Sequence, residues 1–95
     1  RTFGMASELP ALQARGMALG VTPDNTLGLT DEGGYTAPTR FADEPLYHKM
    51  LDLVGDLGLT GLNPLAMDIH VFALCAGHTA HVALARRLRD VLVPA

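Results

Sequence analysis

The sequence predicts an α+β fold: a two-layer sandwich with a small, mostly antiparallel sheet packed against two long helices. Apolar residues recur at helical spacing over residues 43–59 and again over residues 78–93. Between these segments, residues 67–76 are rich in Ile, Val and Phe and alternate as a strand does. Near the N-terminus, strand-like segments flank a short helical one, which predicts a β-α-β-like insert.

The composition limits the class of protein. A chain of 95 residues forms one small domain or part of one, and 48% hydrophobic with 18% charged residues indicates a folded chain. A net charge of −3 leaves no broad basic face, which argues against a nucleic-acid partner. No apolar run reaches the roughly 18 residues of a transmembrane segment. The single cysteine, Cys75, favours a reducing, cytoplasmic location. Because the chain begins at Arg1 rather than Met, we expect a processed, truncated or split product.

The first elements are short. Residues 1–5 are typical of the end of a strand, and Ser7 can N-cap a helix that stops at Gly16. A weak strand over residues 25–29 follows. A turn over residues 31–34 comes next, and both of its glycines are available for positive φ.

Two long helices follow. Asp43 can N-cap the first, which is expected to run to about Leu59. Its buried face is expected to consist of Leu46, Met50, Leu53, Val54 and Leu57. Gly77 opens the second helix, which runs from His78 to about Val93. Its inward side chains are expected to be Leu84, Leu88, Val91 and Leu92, with a solvated basic end formed by Arg86, Arg87 and Arg89.

Three polar residues share the other side of the first long helix. His48, Asp52 and Asp56 are spaced i, i+4, i+8, so they lie on one stripe. An imidazole and a carboxylate one turn apart can converge on a zinc ion, which needs at least one further protein ligand. An exposed polar helix face gives the same pattern, and spacing alone leaves both interpretations open.

His78 begins a helix directly after a predicted strand, where a catalytic side chain can be held rigidly. A helix N-terminus disfavours imidazolium, so an acid at this position requires a nearby carboxylate, for which Asp56 is the candidate. A polar residue at a helix end is the alternative. We interpret His70 and His81 as structural, and Cys75 as a small core residue.

Several segments appear together in an order that matches a known family. They are Arg1-Thr2-Phe3-Gly4, Arg15-Gly16-Met17-Ala18-Leu19-Gly20, Asp24-Asn25, Arg40-Phe41-Ala42-Asp43-Glu44, the ten residues from His48 to Leu57, and Gly77-His78. Over nearly its whole length, the chain resembles the C-terminal part of the UDP-3-O-acyl-N-acetylglucosamine deacetylases, zinc hydrolases of lipid A biosynthesis. Residues 1–95 then correspond to most of the second domain, and the first domain is absent.

The resemblance implies roles for individual residues. His48 and Asp52 would be two of three zinc ligands. The family's first half supplies a third, histidine ligand and the glutamate that activates water, so that half is an implied partner. His78 would be the protonated acid, held by Asp56, while Thr2 would help to polarise the scissile carbonyl. Two residues would contact the sugar and nucleotide side of the substrate, Phe3 and Lys49. Residues 4–29 match the insert that forms the family's passage for the acyl chain.

Two functions therefore remain open. The first is a fragment of a zinc-dependent deacetylase that hydrolyses the N-acetyl group of an acylated UDP-N-acetylglucosamine and is inactive alone. The second is a non-catalytic degenerate paralogue, or a scaffold subunit that needs a separate first half. An upstream reading frame with a Glu-His pair would favour the enzyme. The chain also departs from the family pattern at two positions where a basic residue is expected, Tyr47 and Cys75.

Overall fold

The computed structural model describes residues 1–92. Its strands and helices, in chain order, are β1 (Thr2–Met5), α1 (Leu9–Ala14), β2 (Thr26–Leu29), α2 (Glu44–Leu57) and α3 (His78–Leu92). Short 3-10 helices lie at Ala6–Glu8, Gly58–Thr60 and Pro64–Ala66. The chain divides into two compact units, the first covering residues 1–48 and the second beginning at Lys49. Within residues 1–92, no helix combines the length and the apolarity needed to cross a membrane.

The first unit contains a parallel strand pair. β1 pairs with β2 from Thr2↔Thr26 to Met5↔Leu29, and α1 lies between the two strands in the chain. The expected β-α-β insert is therefore confirmed. The prediction of a mostly antiparallel sheet is wrong, because the sheet of the described residues consists of these two parallel strands. A helical crossover returns the chain to the same end of the sheet, so the second strand runs in the same direction as the first.

The predicted strand over residues 67–76 is also wrong. This segment has no regular secondary structure and contains Cys75, whose φ of 50° is not that of an extended strand. Cys75 is exposed, so its interpretation as a small core residue is wrong. The side chain of Phe72 is 93% exposed. Alternation indicates which residues would share a face of a strand, but a strand also needs a hydrogen-bonding neighbour. Within residues 1–92, none pairs with this segment.

The start of α1 differs from the expected one. Ser7 lies within the 3-10 helix Ala6–Glu8, and its hydroxyl donates to Asp31 Oδ1 at 3.2 Å instead of capping a helix. Gly16 takes a left-handed φ of 75° just past the end of α1, as expected of a stop residue. In the turn over residues 31–34, positive φ occurs at Gly33.

α2 begins and ends close to the predicted residues, but its predicted buried face is only partly covered. Leu57 is 2% exposed, and Leu53 and Val54 are half-buried. Leu46 and Met50 are 56% and 52% exposed, so their expected burial is wrong. Helical spacing shows which side chains share a face, but not how much of that face another element covers.

α3 presents a different face from the predicted one. Its buried residues are His81 and Ala85, while Leu88 is half-buried. The other expected inward side chains are exposed: Leu84, Val91 and Leu92. The predicted end of the helix, Val93, lies outside the described residues. The helix is turned so that His81 faces inward, because its imidazole has a polar partner there.

A buried ion pair connects the start of β1 to the start of α2. Arg1 Nε and Nη2 donate to the two carboxylate oxygens of Glu44 at 2.7 and 3.0 Å. Glu44 is fully buried and also accepts from the backbone N–H of Arg40 at 2.8 Å. These contacts hold the pKa of Glu44 far below its usual range. They connect Arg1, which precedes Thr2, to Glu44, which lies one helical turn before His48.

Candidate acid and metal site

Asp56 and His78 form the centre of the site, within the second unit. Asp56 lies in the last turn of α2, and His78 is the first residue of α3. His78 Nδ1 is 2.6 Å from Asp56 Oδ2, so the predicted contact within hydrogen-bond reach is confirmed. The imidazole is 69% exposed while the carboxylate side chain is 17% exposed. The carboxylate is therefore held inside, and the ring can be reached from solvent.

The charges of the site favour imidazolium. The hydrogen bond to Asp56 raises the pKa of His78, and the negative charges of Asp56 and Asp52 act in the same direction. The same hydrogen bond lowers the pKa of Asp56, against the opposing effect of its burial. A histidine with a raised pKa is suited to donate a proton near neutral pH.

A second carboxylate approaches the other ring nitrogen. Asp52 lies one turn before Asp56 on α2, and its Oδ2 is 3.6 Å from His78 Nε2. Both nitrogens of the imidazole thus face acidic groups. The spacing of the two aspartates on one helical stripe, noted in the sequence, produces this arrangement.

His81 belongs to the site, although the sequence did not indicate it. Its Nδ1 is 2.9 Å from Asp56 Oδ2, and its side chain is 6% exposed. The signal that could have found it is its spacing of i+3 from His78, which places both rings on neighbouring turns of one helix. The interpretation of His81 as a structural residue was incomplete. The sequence does not show that α2 places a carboxylate beside the face of α3 that carries this histidine.

The predicted zinc ligands lie on consecutive turns of α2. His48 and Asp52 are both half-buried. Imidazole nitrogen and carboxylate oxygen are donors that zinc prefers, so the donor set fits a zinc half-site, and a complete site needs at least one more protein ligand. A different set, Asp56, His78 and His81, brings three possible ligand atoms within 4.8 Å of one another.

The first unit holds the other predicted residues. His48 and Thr2 line one surface cavity of about 650 Å³, together with polar residues that include Asn25 and Arg40. Phe3 lines a second cavity of about 560 Å³ with Thr2, and the rest of that lining includes Met5, Leu9, Leu12 and Val21. This second cavity is mostly apolar and is formed by the insert. Thr2, the first residue of β1, contributes to the lining of both cavities.

Lys49 lies next to the segment that leads into α3. Its Nζ donates to the carbonyl oxygen of Ala76 at 2.9 Å, two residues before His78. The predicted substrate-binding cation therefore contacts the backbone just before the predicted acid, and both residues belong to the second unit.

A histidine supported by a carboxylate, together with a helical His-x-x-x-Asp pair, is typical of metal-dependent hydrolases. The family model for UDP-3-O-acyl N-acetylglycosamine deacetylase matches residues 1–90. The chain therefore belongs to this family.

Curated relatives named UDP-3-O-acyl-N-acetylglucosamine deacetylase agree with this assignment. The protein of Trichormus variabilis is 44% identical over 93% of this chain and 30% of its own length. That of Chlamydia caviae is 40% identical over 99% of this chain and 33% of its own. That of Leptospira biflexa is 44% identical over 90% of this chain and 28% of its own. The chain thus spans about a third of the length of these relatives. No solved structure matches it.

Proposed function

We propose that residues 1–95 form most of the second domain of a zinc-dependent deacetylase. The enzyme would release acetate from an acylated UDP-N-acetylglucosamine, in the cytoplasm, as a step of lipid A biosynthesis. The observation that carries the proposal is the 2.6 Å contact between His78 and Asp56 in a chain of the deacetylase family. The names of the relatives support the substrate class.

His48 and Asp52 are the residues of this chain that would hold zinc. When bound, zinc supplies a Lewis acid and lowers the pKa of a coordinated water to about 7. The proposal requires a third ligand and a carboxylate base from outside these residues, in the domain that corresponds to the family's first half. A complete active site therefore needs that domain, on the same chain or on a separate one.

His78 would act as the general acid. Its Nδ1 is engaged by Asp56, so the proton that is transferred is the one on Nε2. As the amide breaks, Nε2–H stabilises the oxyanion and then donates its proton to the leaving amine. Asp56 stays ionised and holds the ring throughout, which keeps the orientation of Nε2 constant.

Three other residues would bind the substrate. The hydroxyl of Thr2 would donate a hydrogen bond to the scissile carbonyl oxygen, while Phe3 and Lys49 contact the sugar and nucleotide. The apolar cavity that Phe3 lines offers a suitable surface for the acyl chain, because its other lining residues are mainly aliphatic.

Replacing the carboxylate ligand tests the metal part of this proposal. In the full-length protein that carries this sequence, Asp52→Asn removes a charged ligand, and we expect zinc affinity to fall by more than about 100-fold. The matched control is Asp68→Asn, an exposed aspartate in the loop before α3. Zinc retained after dialysis against a chelator is the measurement, followed by acetate release.

Equal zinc retention in Asp52→Asn and in the parent protein would contradict the ligand assignment. A parent protein that binds no zinc and releases no acetate would instead favour the second function, a non-catalytic scaffold.

A further inference from the structure

We propose that His81 is a positioning residue that orients Asp56 and, through it, the imidazole of His78. The inference rests on the proposed function, because it assigns His81 a part in holding the acid. It follows from three features of the described residues: a shared oxygen atom, the burial of His81, and the place of both histidines on α3.

The two histidines bond the same carboxylate oxygen. Asp56 Oδ2 is 2.6 Å from Nδ1 of His78 and 2.9 Å from Nδ1 of His81. The terminal torsion of an aspartate is broad, so a single hydrogen bond does not define its orientation. A second donor on the same oxygen, from a fixed direction, restricts that rotation.

His81 is well placed to be the fixed donor. The side chain of His81 is 6% exposed, so its ring is held by packing. The side chain of His78 is 69% exposed, so its ring is available to react. The backbone N–H of His81 donates to the carbonyl of Gly77 at 2.9 Å, in the first turn of α3. The two rings meet edge to face with centroids 6.3 Å apart. One rigid turn of helix therefore presents both rings to one carboxylate.

Hydrogen bonding describes this cluster better than metal binding does. Two ligands of a tetrahedral zinc, each about 2.0–2.1 Å from the ion, lie roughly 3.3 Å apart. The distance of 2.6 Å between His78 Nδ1 and Asp56 Oδ2 is shorter than this and is close to the length of a charge-assisted hydrogen bond. The cluster of Asp56, His78 and His81 thus serves to hold the acid.

The test uses variants that keep, move or remove the donor. Asparagine places its amide nitrogen where histidine has Nδ1, so His81→Asn keeps the bond to Asp56. His81→Leu removes the donor, and His81→Gln moves it further from the backbone. The control for the substitution type is His70→Leu, at an exposed position in the loop before α3.

In the full-length protein we expect His81→Leu to lower kcat by about 10-fold or more, part of the roughly 10²–10⁴-fold of a general acid, with little change in KM. His81→Asn should restore kcat to within about 3-fold of the parent, a result that a purely structural role would not give. His81→Gln should behave as His81→Leu does and replaces it if that variant does not fold.

A second readout does not depend on activity. At one fixed pH, the ¹⁵N resonances of the His78 imidazole should change in His81→Leu and stay unchanged in His81→Asn. Parent-like kcat and parent-like His78 resonances in His81→Leu would overturn the inference. So would the loss of one bound zinc in that variant, which would make the cluster a metal site. An inactive parent protein would overturn the proposed function instead, and the resonances would still decide the role of His81.

Discussion

The carboxylate of Asp56 connects two helices through a single oxygen atom. Asp56 belongs to the last turn of α2, and its Oδ2 accepts hydrogen bonds from two imidazoles of α3, those of His78 and His81. The two bonds lower the pKa of Asp56, so the carboxylate stays ionised over the range in which a histidine titrates. An ionised partner in turn keeps His78 protonated at higher pH than an isolated imidazole.

This arrangement predicts the pH dependence of Asp56→Asn. If His78 is the acid, activity is lost as pH rises through its pKa, which Asp56 raises. Removing the charge should lower that pKa and move the alkaline limb of the pH–rate profile to lower pH. We expect kcat to fall by about 10²-fold. The profile of kcat between pH 5 and pH 10 is the measurement, with Asp68→Asn as the matched control.

Zinc content separates this effect from loss of the metal. Asp56→Asn should retain zinc as the parent protein does, in contrast to Asp52→Asn. An unchanged alkaline limb together with an unchanged kcat would show that Asp56 does not support the acid.

At the scale of the elements, the parallel pair β1–β2 brings two glycines together. Gly4 and Gly28 are partners in the register, and Thr36 packs over the second of them. Thr36 N–H donates to the Gly28 carbonyl at 2.9 Å, and its Oγ1 accepts from Gly28 N–H at 3.2 Å. A Cβ on Gly28 would lie 2.7 Å from the Thr36 side chain, so the absence of a side chain permits this approach.

Gly28→Ala should therefore destabilise the first unit. Overpacking of this kind costs about 1–3 kcal/mol of the free energy of unfolding, since Thr36 has to move. Gly4→Ala is the matched control, because its Cβ would meet no atom of the described residues within 4 Å. Urea denaturation measures both variants. Adding Thr36→Ala to Gly28→Ala should recover part of the loss, and equal stabilities of the two glycine variants would show that the contact does not matter.

At the scale of the whole molecule, the proposed function assigns only part of a catalytic site to this chain. It spans about a third of the length of its relatives and supplies two candidate zinc ligands, His48 and Asp52. Under the proposed function, the remaining ligand and the water-activating carboxylate come from the family's first half. Neither metal binding nor hydrolysis is then complete without that half.

We therefore expect the 95 residues alone to bind zinc weakly and to release no acetate. Two protein ligands leave the other positions of the ion to water, and no base from the first half is present. Zinc titration and an acetate assay test the chain alone and after mixing with the separately expressed first half. Activity should require both parts. Acetate release by these residues alone would contradict the assignment of the missing groups.

Local patterns in the sequence predicted the helices and part of the site. The approximate boundaries of α2 and α3 followed from helical spacing, because this depends on residues within a few turns. The contact between His78 and Asp56 followed from the family resemblance. The burial of Leu46 and Met50 was predicted wrongly, since it depends on what lies opposite the helix. The strand over residues 67–76 was wrong for the same reason, because a strand needs a partner.

By itself, the sequence determined the family, the places of α2 and α3, and the stripe that carries His48, Asp52 and Asp56. Each of these features depends on the order of residues along the chain or on a spacing of a few residues. Only the tertiary structure decided that β1 and β2 run in parallel and which face of α3 is buried. It also decided that His81 and His78 bond the same carboxylate oxygen of Asp56. These features depend on pairing and packing between segments far apart in the chain. The spacing of residues within one segment does not identify the segment that pairs or packs with it.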